Sequence, residues 1–227
     1  MILLSPSILA ADFAALGSYM RLADSAGTDY FHVDVMDGMF VPNISYGIPI
    51  LESVRKITHT TLDVHLMIVK PERYIREFAR AGADIITIHY EACEDINAAV
   101  ALIHECGCKA GLSIKPGTDV SVLTPYLDVV DMFLIMTVEP GFGGQKYMNK
   151  CTEKIRALRA LIDENGYDVN IEVDGGITRD NVDVVLDAGA NVIVMGSAIF
   201  MDDIRENVTY FKEHFKNYEK NKNNAGV

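Results

Sequence analysis

Residues 3–37, LLSPSILAADFAALGSYMRLADSAGTDYFHVDVMD, contain one complete strand–helix–strand pattern. Apolar runs predict strands over Leu3–Leu9 and Tyr30–Asp37, and an amphipathic stretch between them predicts a helix over Phe13–Ala26. Two strands joined by a helix in this way pair in parallel, with a right-handed connection. The stretch therefore indicates an α/β fold with a parallel sheet.

The same alternation continues along the chain, and several helical segments stop at a glycine, which is a helix C-cap signal. Eight strand–helix units in one domain predict closure into a single (β/α)8 TIM barrel. An open doubly wound sheet is the alternative, but no GxGxxG motif follows the first strand. The further predicted strands are Thr61–Ile68, Ile85–Glu91, Lys109–Lys115, Met132–Val138, Asn170–Asp174 and Asn191–Gly196, and the further predicted helices include Glu72–Ala83, Ile96–Cys106 and Cys151–Asn165.

Length and composition agree with one barrel domain. The chain has 227 residues, of which 49% are hydrophobic, enough for a substantial core. We expect the barrel to occupy residues 1–215 and a polar C-terminal tail, fraying beyond a final helix, to occupy residues 216–227. Barrels of this size often associate, so a homo-oligomer is expected.

Charge and cysteine content narrow the function classes. A net charge of −12, from 32 acidic and 20 basic residues, argues against a nucleic-acid partner, which needs a basic surface. No apolar run reaches the length of a membrane span, and the N-terminus carries no secretory pattern. Four cysteines without metal-binding spacing indicate reduced thiols. These features predict a cytoplasmic protein without membrane or nucleic-acid contacts.

Four ionisable residues lie at or near the ends of predicted strands. Side chains alternate along a strand, so His32 and Asp34 share one face; His65 follows on the third strand and Asp174 ends the seventh. Barrel active sites lie at the C-terminal ends of strands, where these four converge if they point inward. Two imidazoles and two carboxylates suit a divalent transition metal. The spacing alone leaves hydrogen-bonded structural roles equally open.

Other polar residues near the strand ends are interpreted as supporting. Asp37 has the opposite parity to Asp34 and is expected to organise the turn at Gly38. Glu172 shares a face with Asp174, which predicts a buried ion pair or hydrogen bond. His89, near the end of the fourth strand, is kept as a support residue.

Glycines cluster after the last three predicted strands. Backbone N–H groups in such segments approach an anion closely and surround it, and barrel enzymes often bind phosphate after strands seven and eight. Neutral backbone donors would let an acidic protein bind a phosphate, although the same glycines are also typical of tight turns. The predicted glycine cradle consists of Gly141, Gly143, Gly144, Gly175, Gly176 and Gly196.

Several motifs together resemble the ribulose-phosphate 3-epimerase family. In order along the chain they are SPSILAADF (5–13), HVDVMDGMFVPN (32–43), HLM (65–67), MTVEPGFGGQ (136–145), EVDGGI (172–177) and GSAIF (196–200). The resemblance implies a (β/α)8 barrel of the ribulose-phosphate-binding type. It also implies interconversion of D-ribulose 5-phosphate and D-xylulose 5-phosphate in the pentose phosphate pathway.

The resemblance assigns roles by position. It implies one divalent cation, Zn, Fe(II), Mn or Co(II), bound by His32, Asp34, His65 and Asp174, with Asp34 and Asp174 as the acid–base pair. Inverting a carbon next to a ketone needs one proton removed and another delivered on the opposite face, through an enediolate, so two carboxyls suit the reaction. Met195 departs from the family pattern. The implied substrate contacts are Ser7, Met36, His65, Met67, Met136, Gly141, Phe142, Gly143, Gly144, Gly175, Gly176, Gly196 and Ser197.

Alternative functions remain on the same scaffold. An epimerase for another ketose phosphate, such as allulose 6-phosphate, shares the His-x-Asp motif. A decarboxylase or synthase with Asp-x-Lys-x-x-Asp is disfavoured, since the stretch from Asp63 lacks the lysine and the second aspartate. A Schiff-base aldolase would need Lys115, which precedes a predicted turn. A non-catalytic sugar-phosphate-binding barrel would not need both aspartates.

Overall fold

Eight parallel strands form a barrel in the computed structural model, which describes residues 1–225. Neighbouring strands pair in the order β1-β8-β7-β6-β5-β4-β3-β2, and a parallel bridge between Ser7 and His32 links the end of the first strand to the second. The predicted (β/α)8 barrel is thereby confirmed. The strands are β1 (Leu3–Pro6), β2 (Tyr30–Met36), β3 (Thr61–Met67), β4 (Ile85–His89), β5 (Lys109–Ile114), β6 (Met132–Met136), β7 (Asn170–Asp174) and β8 (Val192–Met195).

Helices cover the outside of the barrel. The connection between β5 and β6 contains a 3-10 helix, Val120–Tyr126, in place of an α-helix, and Pro125 lies inside it. Proline lacks the N–H that an α-helix interior needs. The α-helices are α1 (Leu16–Ser25), α2 (Ile48–Arg55), α3 (Ile75–Ala81), α4 (Ile96–Glu105), α5 (Lys150–Glu164), α6 (Val182–Asp187), α7 (Ser197–Phe200) and α8 (Ile204–Ala225).

The ends of the elements deviate from the predictions by a few residues. β1 was predicted to reach Leu9 but ends at Pro6, where Ser7 caps a short 3-10 turn by accepting a hydrogen bond from Leu9 N. Helix α8 continues past the proposed boundary between residues 215 and 216. The last two residues of the predicted tail lie outside the described part, and the domain division stays a prediction. Within residues 1–225, no helix is both long and apolar enough to cross a membrane.

The barrel interior contains a buried polar layer below the strand ends. Outward-facing strand residues such as Phe31 and Val33 pack in the main hydrophobic core. Inward-facing positions on five strands instead carry polar side chains that are completely buried: His32, Asp63, Thr87, Ser113 and Glu172. The register aligns Asp34 with His65 and Met136 with Asp174, so their side chains occupy the next level toward the C-terminal ends.

Candidate active site and metal centre

The structure brings together the four ionisable residues that were predicted as metal ligands. His32 Nε2 lies 3.3 Å from His65 Nδ1, and Asp34 Oδ1 lies 3.2 Å from both nitrogens. One possible ligand atom from each of the four residues, including Asp174, lies within 4.8 Å of the other three. The two imidazoles and Asp34 are buried and Asp174 is half-buried. We call this group the histidine–aspartate cluster.

The ring nitrogens of His32 and His65 that point away from the cluster form hydrogen bonds with other side chains. His32 Nδ1 lies 2.7 Å from Asp63 Oδ2, and His65 Nε2 lies 2.8 Å from His89 Nε2. Each ring therefore directs its remaining nitrogen into the histidine–aspartate cluster. Carboxylates and other acceptors behind metal-bound histidines commonly fix the ring orientation in this way.

The dimensions of the cluster fit a divalent cation. Ligand bonds of about 2.0–2.2 Å in a tetrahedral site separate the ligand atoms by about 3.3–3.6 Å. The three contacts among His32, His65 and Asp34 measure 3.2–3.3 Å, close to that range. Imidazole nitrogens and carboxylate oxygens also suit zinc, iron and related ions. The cluster could therefore hold a metal; the role of each residue as a ligand stays a prediction.

Hydrogen bonds fix the two aspartates in the cluster. Ser7 Oγ donates to Asp34 Oδ2 over 2.6 Å, and Ser45 Oγ donates to the Asp34 carbonyl over 2.6 Å. At the end of β7, the Thr137 hydroxyl and backbone N–H both lie 2.8 Å from the Asp174 carbonyl oxygen. These contacts fix the Asp34 carboxylate and the backbone of Asp174 near the ends of β2 and β7.

The surroundings move the pKa values of the two carboxyls in opposite directions. Burial alone would raise the pKa of Asp34, but the charge and hydrogen bonds of His32 and His65 lower it well below its ordinary value. Burial, together with the negative charge of Asp34, raises the pKa of Asp174 to about 6. Below about pH 6, Asp34 is thus ionised while Asp174 is protonated. Such pairs are common where an enzyme needs both an acid and a base.

Burial alone would lower the pKa of His32, but Asp34, Asp63 and Glu172 raise it well above its ordinary value. Glu172 Oε1 lies 3.5 Å from His32 Nδ1. Asp63 lies closer to the same nitrogen and forms its hydrogen bond. Neither Glu172 oxygen has a hydrogen-bond partner. The expected burial of Glu172 is confirmed, and its ion-pair contact is long. Burial, followed by the charge of Asp63, raises the pKa of Glu172 well above its ordinary value.

A cavity of about 500 Å³ opens over the histidine–aspartate cluster. Both aspartates reach its wall, whereas His32 and His65 are completely buried and do not line it. A direct substrate contact by His65 accordingly stays a prediction. The other predicted substrate-binding residues all line the cavity: Ser7, Met36, Met67, Met136, Gly141, Phe142, Gly143, Gly144, Gly175, Gly176, Gly196 and Ser197.

Two glycines of the predicted cradle occupy positions where a side chain would collide with the backbone or with a buried residue. Gly175 has φ +120°, and an added Cβ would lie 2.4 Å from Val138 Cγ2. Gly176 has φ +70°, and an added Cβ would lie 2.4 Å from the Tyr147 backbone nitrogen. Both positions therefore require glycine sterically. Both glycines also line the cavity and are half-buried.

Sequence reasoning missed several residues of the site. Lys146, which follows the GFGGQ motif, and Asn181, which donates to the Gly176 carbonyl over 2.9 Å, both line the cavity. Asp63 was missed as the partner of His32, although its position two residues before His65 places it on the same strand face. Asp37 behaves as predicted: its Oδ1 accepts from the backbone N–H groups of Met39 and Phe40.

Solved structures with low identity share the barrel fold. A 3-hexulose-6-phosphate synthase superimposes with a TM-score of 0.68 at 18% identity, covering 92% of this chain and 96% of the synthase. KGPDC from Streptococcus mutans superimposes with a TM-score of 0.72 at 12% identity, covering 96% and 99%. At this identity the likeness concerns the fold alone.

Sequence comparisons identify nearer relatives. The Ribulose-phosphate 3 epimerase family profile matches residues 3–200. The ribulose-phosphate 3-epimerase of Synechocystis sp. is 52% identical over 88% of this chain and 87% of the relative, and that of Bacillus subtilis is 49% identical over 88% and 93%. The Escherichia coli K12 enzyme of the same name is 47% identical over 87% and 88%. Since profile and relatives cover most of the chain, this protein belongs to the ribulose-phosphate 3-epimerase family.

Proposed function

We propose that this chain interconverts D-ribulose 5-phosphate and D-xylulose 5-phosphate in the pentose phosphate pathway, using one bound divalent cation. The observation that carries the proposal is the pair of carboxyls, Asp34 and Asp174, which meet at the cavity wall with pKa values moved in opposite directions. Relatives near 50% identity bear the name of this activity. An epimerisation by proton transfer needs this combination of one base and one acid.

The reaction is derived from the two carboxyls. One carboxylate removes the proton from the carbon next to the ketone, and a planar enediolate forms; the other carboxyl then delivers a proton to the opposite face. Asp34 and Asp174 exchange the roles of base and acid when the direction reverses. Ser7 donates to Asp34 Oδ2, which holds that carboxylate in one orientation during the transfer. Acid–base groups of this kind contribute about 10²–10⁴-fold each.

His32, Asp34, His65 and Asp174 would hold the cation, which supplies Lewis-acid stabilisation of the negative oxygen that develops on the substrate. Zn, Fe(II), Mn and Co(II) all suit two imidazoles and two carboxylates. Asp63, at 2.7 Å from His32 Nδ1, keeps the Nε2 side of that ring directed into the cluster.

The substrate phosphate is assigned to the glycine side of the cavity. Gly175, Gly176, Gly196 and Ser197 lie on one side, and their backbone N–H groups offer donors that carry no formal charge. Lys146 adds a positive charge to the same cavity. These groups account for the binding of an anion by a protein with a net charge of −12.

Apolar side chains line the reacting end of the cavity. Met36 and Met67 pair across β2 and β3 and are almost completely buried, and Met136 is aligned with Asp174. A polarizable lining without hydrogen-bond donors leaves the proton transfers to the two carboxyls. Phe142 is about half exposed at the cavity edge, where a bound sugar phosphate would contact it.

The first test is epimerisation of ribulose 5-phosphate before and after treatment with a chelator, with Zn, Fe(II), Mn and Co(II) restored singly. Loss of turnover with the chelator and its return with a metal would support the substrate, the reaction and the metal requirement together. Absence of turnover with every metal would contradict the proposal, and allulose 6-phosphate would then be the substrate to assay.

A matched pair of variants tests the carboxyl chemistry. Asp174→Asn removes one carboxyl from the histidine–aspartate cluster, whereas Asp180→Asn makes the same chemical change at an exposed position of the cavity wall. We expect large loss of turnover in the first variant and turnover near that of the wild type in the second. A non-catalytic sugar-phosphate-binding barrel would bind the substrate without turnover in either form.

The predicted cytoplasmic location and homo-oligomer belong to the same proposal. Cys93, Cys106, Cys108 and Cys151 are all unpaired, which agrees with a reducing compartment. Light scattering during size-exclusion chromatography would measure the oligomeric state.

A further inference from the structure

A chain of polar side chains leads from the histidine–aspartate cluster to the barrel surface. His89, the last residue of β4, is completely buried, with its ring stacked 4.9 Å from that of His65. Its Nε2 lies 2.8 Å from His65 Nε2, and its Nδ1 lies 3.3 Å from Glu91 Oε2. The Glu91 side chain is 22% exposed. The order is therefore His65, His89, Glu91, from the cluster outward.

The contact between the two imidazoles requires one hydrogen between the nitrogens. Two N–H groups at 2.8 Å would collide, and two lone pairs would repel, so one ring donates and the other accepts. The distance alone does not decide which ring donates. The neighbour on the far side of His89 decides it, because a neutral imidazole has one N–H and one acceptor nitrogen.

Glu91 fixes the direction of these hydrogen bonds. Its Oε1 accepts from the Lys115 backbone N–H at 2.8 Å and from the Thr118 hydroxyl. Burial alone would raise the pKa of Glu91, but the hydrogen bonds from His89, Thr118 and Lys115 lower it to about 2. An ionised carboxylate only accepts, so His89 Nδ1 carries the hydrogen. His89 Nε2 then accepts, and His65 must donate from Nε2.

We propose that His89 and Glu91 are positioning residues that hold His65 as the Nε2–H tautomer and so present its Nδ1 lone pair to the histidine–aspartate cluster. The inference rests on the metal site of the proposed function. It explains why His65 faces His32 and Asp34 with Nδ1. Loss of such a partner behind a metal ligand typically weakens metal binding by about 10–100-fold.

The substitution Glu91→Gln would reverse the hydrogen bonds. The Lys115 backbone N–H can only donate, so the new amide must turn its oxygen toward it and its NH₂ group toward His89 Nδ1. His89 Nε2 would then carry the hydrogen, His65 Nε2 would accept it, and the His65 hydrogen would move to Nδ1. That hydrogen would point at the site of the metal.

Nitrogen NMR of histidine-labelled protein reads the tautomers directly, with resonances assigned by substitution of single histidines. In the wild-type, zinc-loaded protein we expect His89 as the Nδ1–H form and His65 as the Nε2–H form. The opposite forms in the wild type would overturn the proposal, and this readout needs no variant to fold. It also needs no substrate, so an active enzyme with the opposite tautomers would overturn this inference while leaving the proposed function intact.

Competition with a chelator for Co(II) gives the second measurement. We expect Glu91→Gln to weaken Co(II) binding by about 10–100-fold and to exchange both tautomers. Thr118→Val is the matched control, since it removes a neighbouring donor to the same carboxylate but keeps its charge and the Lys115 contact. Wild-type tautomers and affinity in a folded Glu91→Gln protein would overturn the proposal, as would equal weakening by both substitutions.

Discussion

The close packing of the two glycine segments at the cavity yields a graded prediction for three alanine substitutions. Gly143 has no neighbour within 4 Å of an added Cβ, and Gly144 has none either but adopts φ +71°. Gly176 adopts nearly the same φ, +70°, and an added Cβ would meet the backbone of residues 145–147 at 2.4–2.9 Å. Alanine at Gly143 therefore tests an open position, and alanine at Gly144 tests the positive φ alone. Alanine at Gly176 tests the positive φ together with a steric collision.

The expected losses in the free energy of unfolding follow from these differences. Gly143→Ala should change it by no more than about 0.5 kcal/mol, as is usual at exposed positions. Gly144→Ala should cost about 1–2 kcal/mol, because a residue with a Cβ is strained at positive φ. Gly176→Ala adds overpacking of about 1–3 kcal/mol. Its total is then about 2–5 kcal/mol, since the backbone cannot yield as a flexible side chain would.

Urea unfolding of the three variants, compared at equal metal saturation, measures these values. In a domain of this size each kcal/mol lowers Tm by about 2–4 °C, so thermal melting gives an independent check. Gly176→Ala should also raise KM, because residues 145–147 and 175–176 line the same cavity and would be forced apart. A Gly176→Ala protein as stable as Gly144→Ala would refute the steric reasoning.

The histidine–aspartate cluster and the neighbouring Glu172 support four further predictions. Asp174→Asn should lower kcat by about 10²–10⁴-fold, and a wild-type rate would contradict the two-carboxyl mechanism. Zinc binding at pH 7 should release a proton, because the pKa of His32 is raised and its Nε2 must lose a hydrogen to bind the metal. Calorimetry in buffers of different ionisation enthalpy would detect the released proton. Zinc affinity should fall further below about pH 6, where protonated Asp174 competes, and constant affinity from pH 5 to 7 would disprove this. Finally, Glu172→Met should raise the free energy of unfolding by about 1–3 kcal/mol, measured by urea unfolding at pH 8. The raised pKa of Glu172 means that keeping this side chain buried destabilises the folded protein more as the pH rises. A destabilised variant would show that the contact of Glu172 with His32 contributes more than the burial of Glu172 costs.

The sequence was sufficient for the positions of the strands, because the barrel repeats one local pattern eight times. All eight predicted strands occur, and Asn170–Asp174 has the predicted ends. Parity along β2 also separated Asp34 from Asp37 correctly: the first enters the cluster, and the second accepts hydrogen bonds in the turn. Alternation within a strand is a local property, so a single sequence specifies it.

Contacts that depend on the exact register between strands could not be predicted. The relation of His65 to His89 depends on β3 and β4, and the contact with Glu91 depends on the chain turning outward just after β4. The end of β1 at Pro6 was missed because the short turn capped by Ser7 has no extended pattern of its own. Three-dimensional neighbours of this kind leave no period in the sequence.

The balance of charge in the barrel interior gives an argument for a cation that is independent of ligand spacing. Four carboxyl groups, Asp34, Asp63, Glu172 and Asp174, surround His32 and His65 in a largely buried region. Neutral imidazoles that act as ligands cannot offset this negative charge, and buried charge without compensation is costly. Protonation partly offsets it in the metal-free protein, as the raised pKa values of His32, Glu172 and Asp174 show. A divalent cation bound by the histidine–aspartate cluster would offset part of this negative charge, which accounts for the convergence of Asp34 and Asp174 on the two imidazoles.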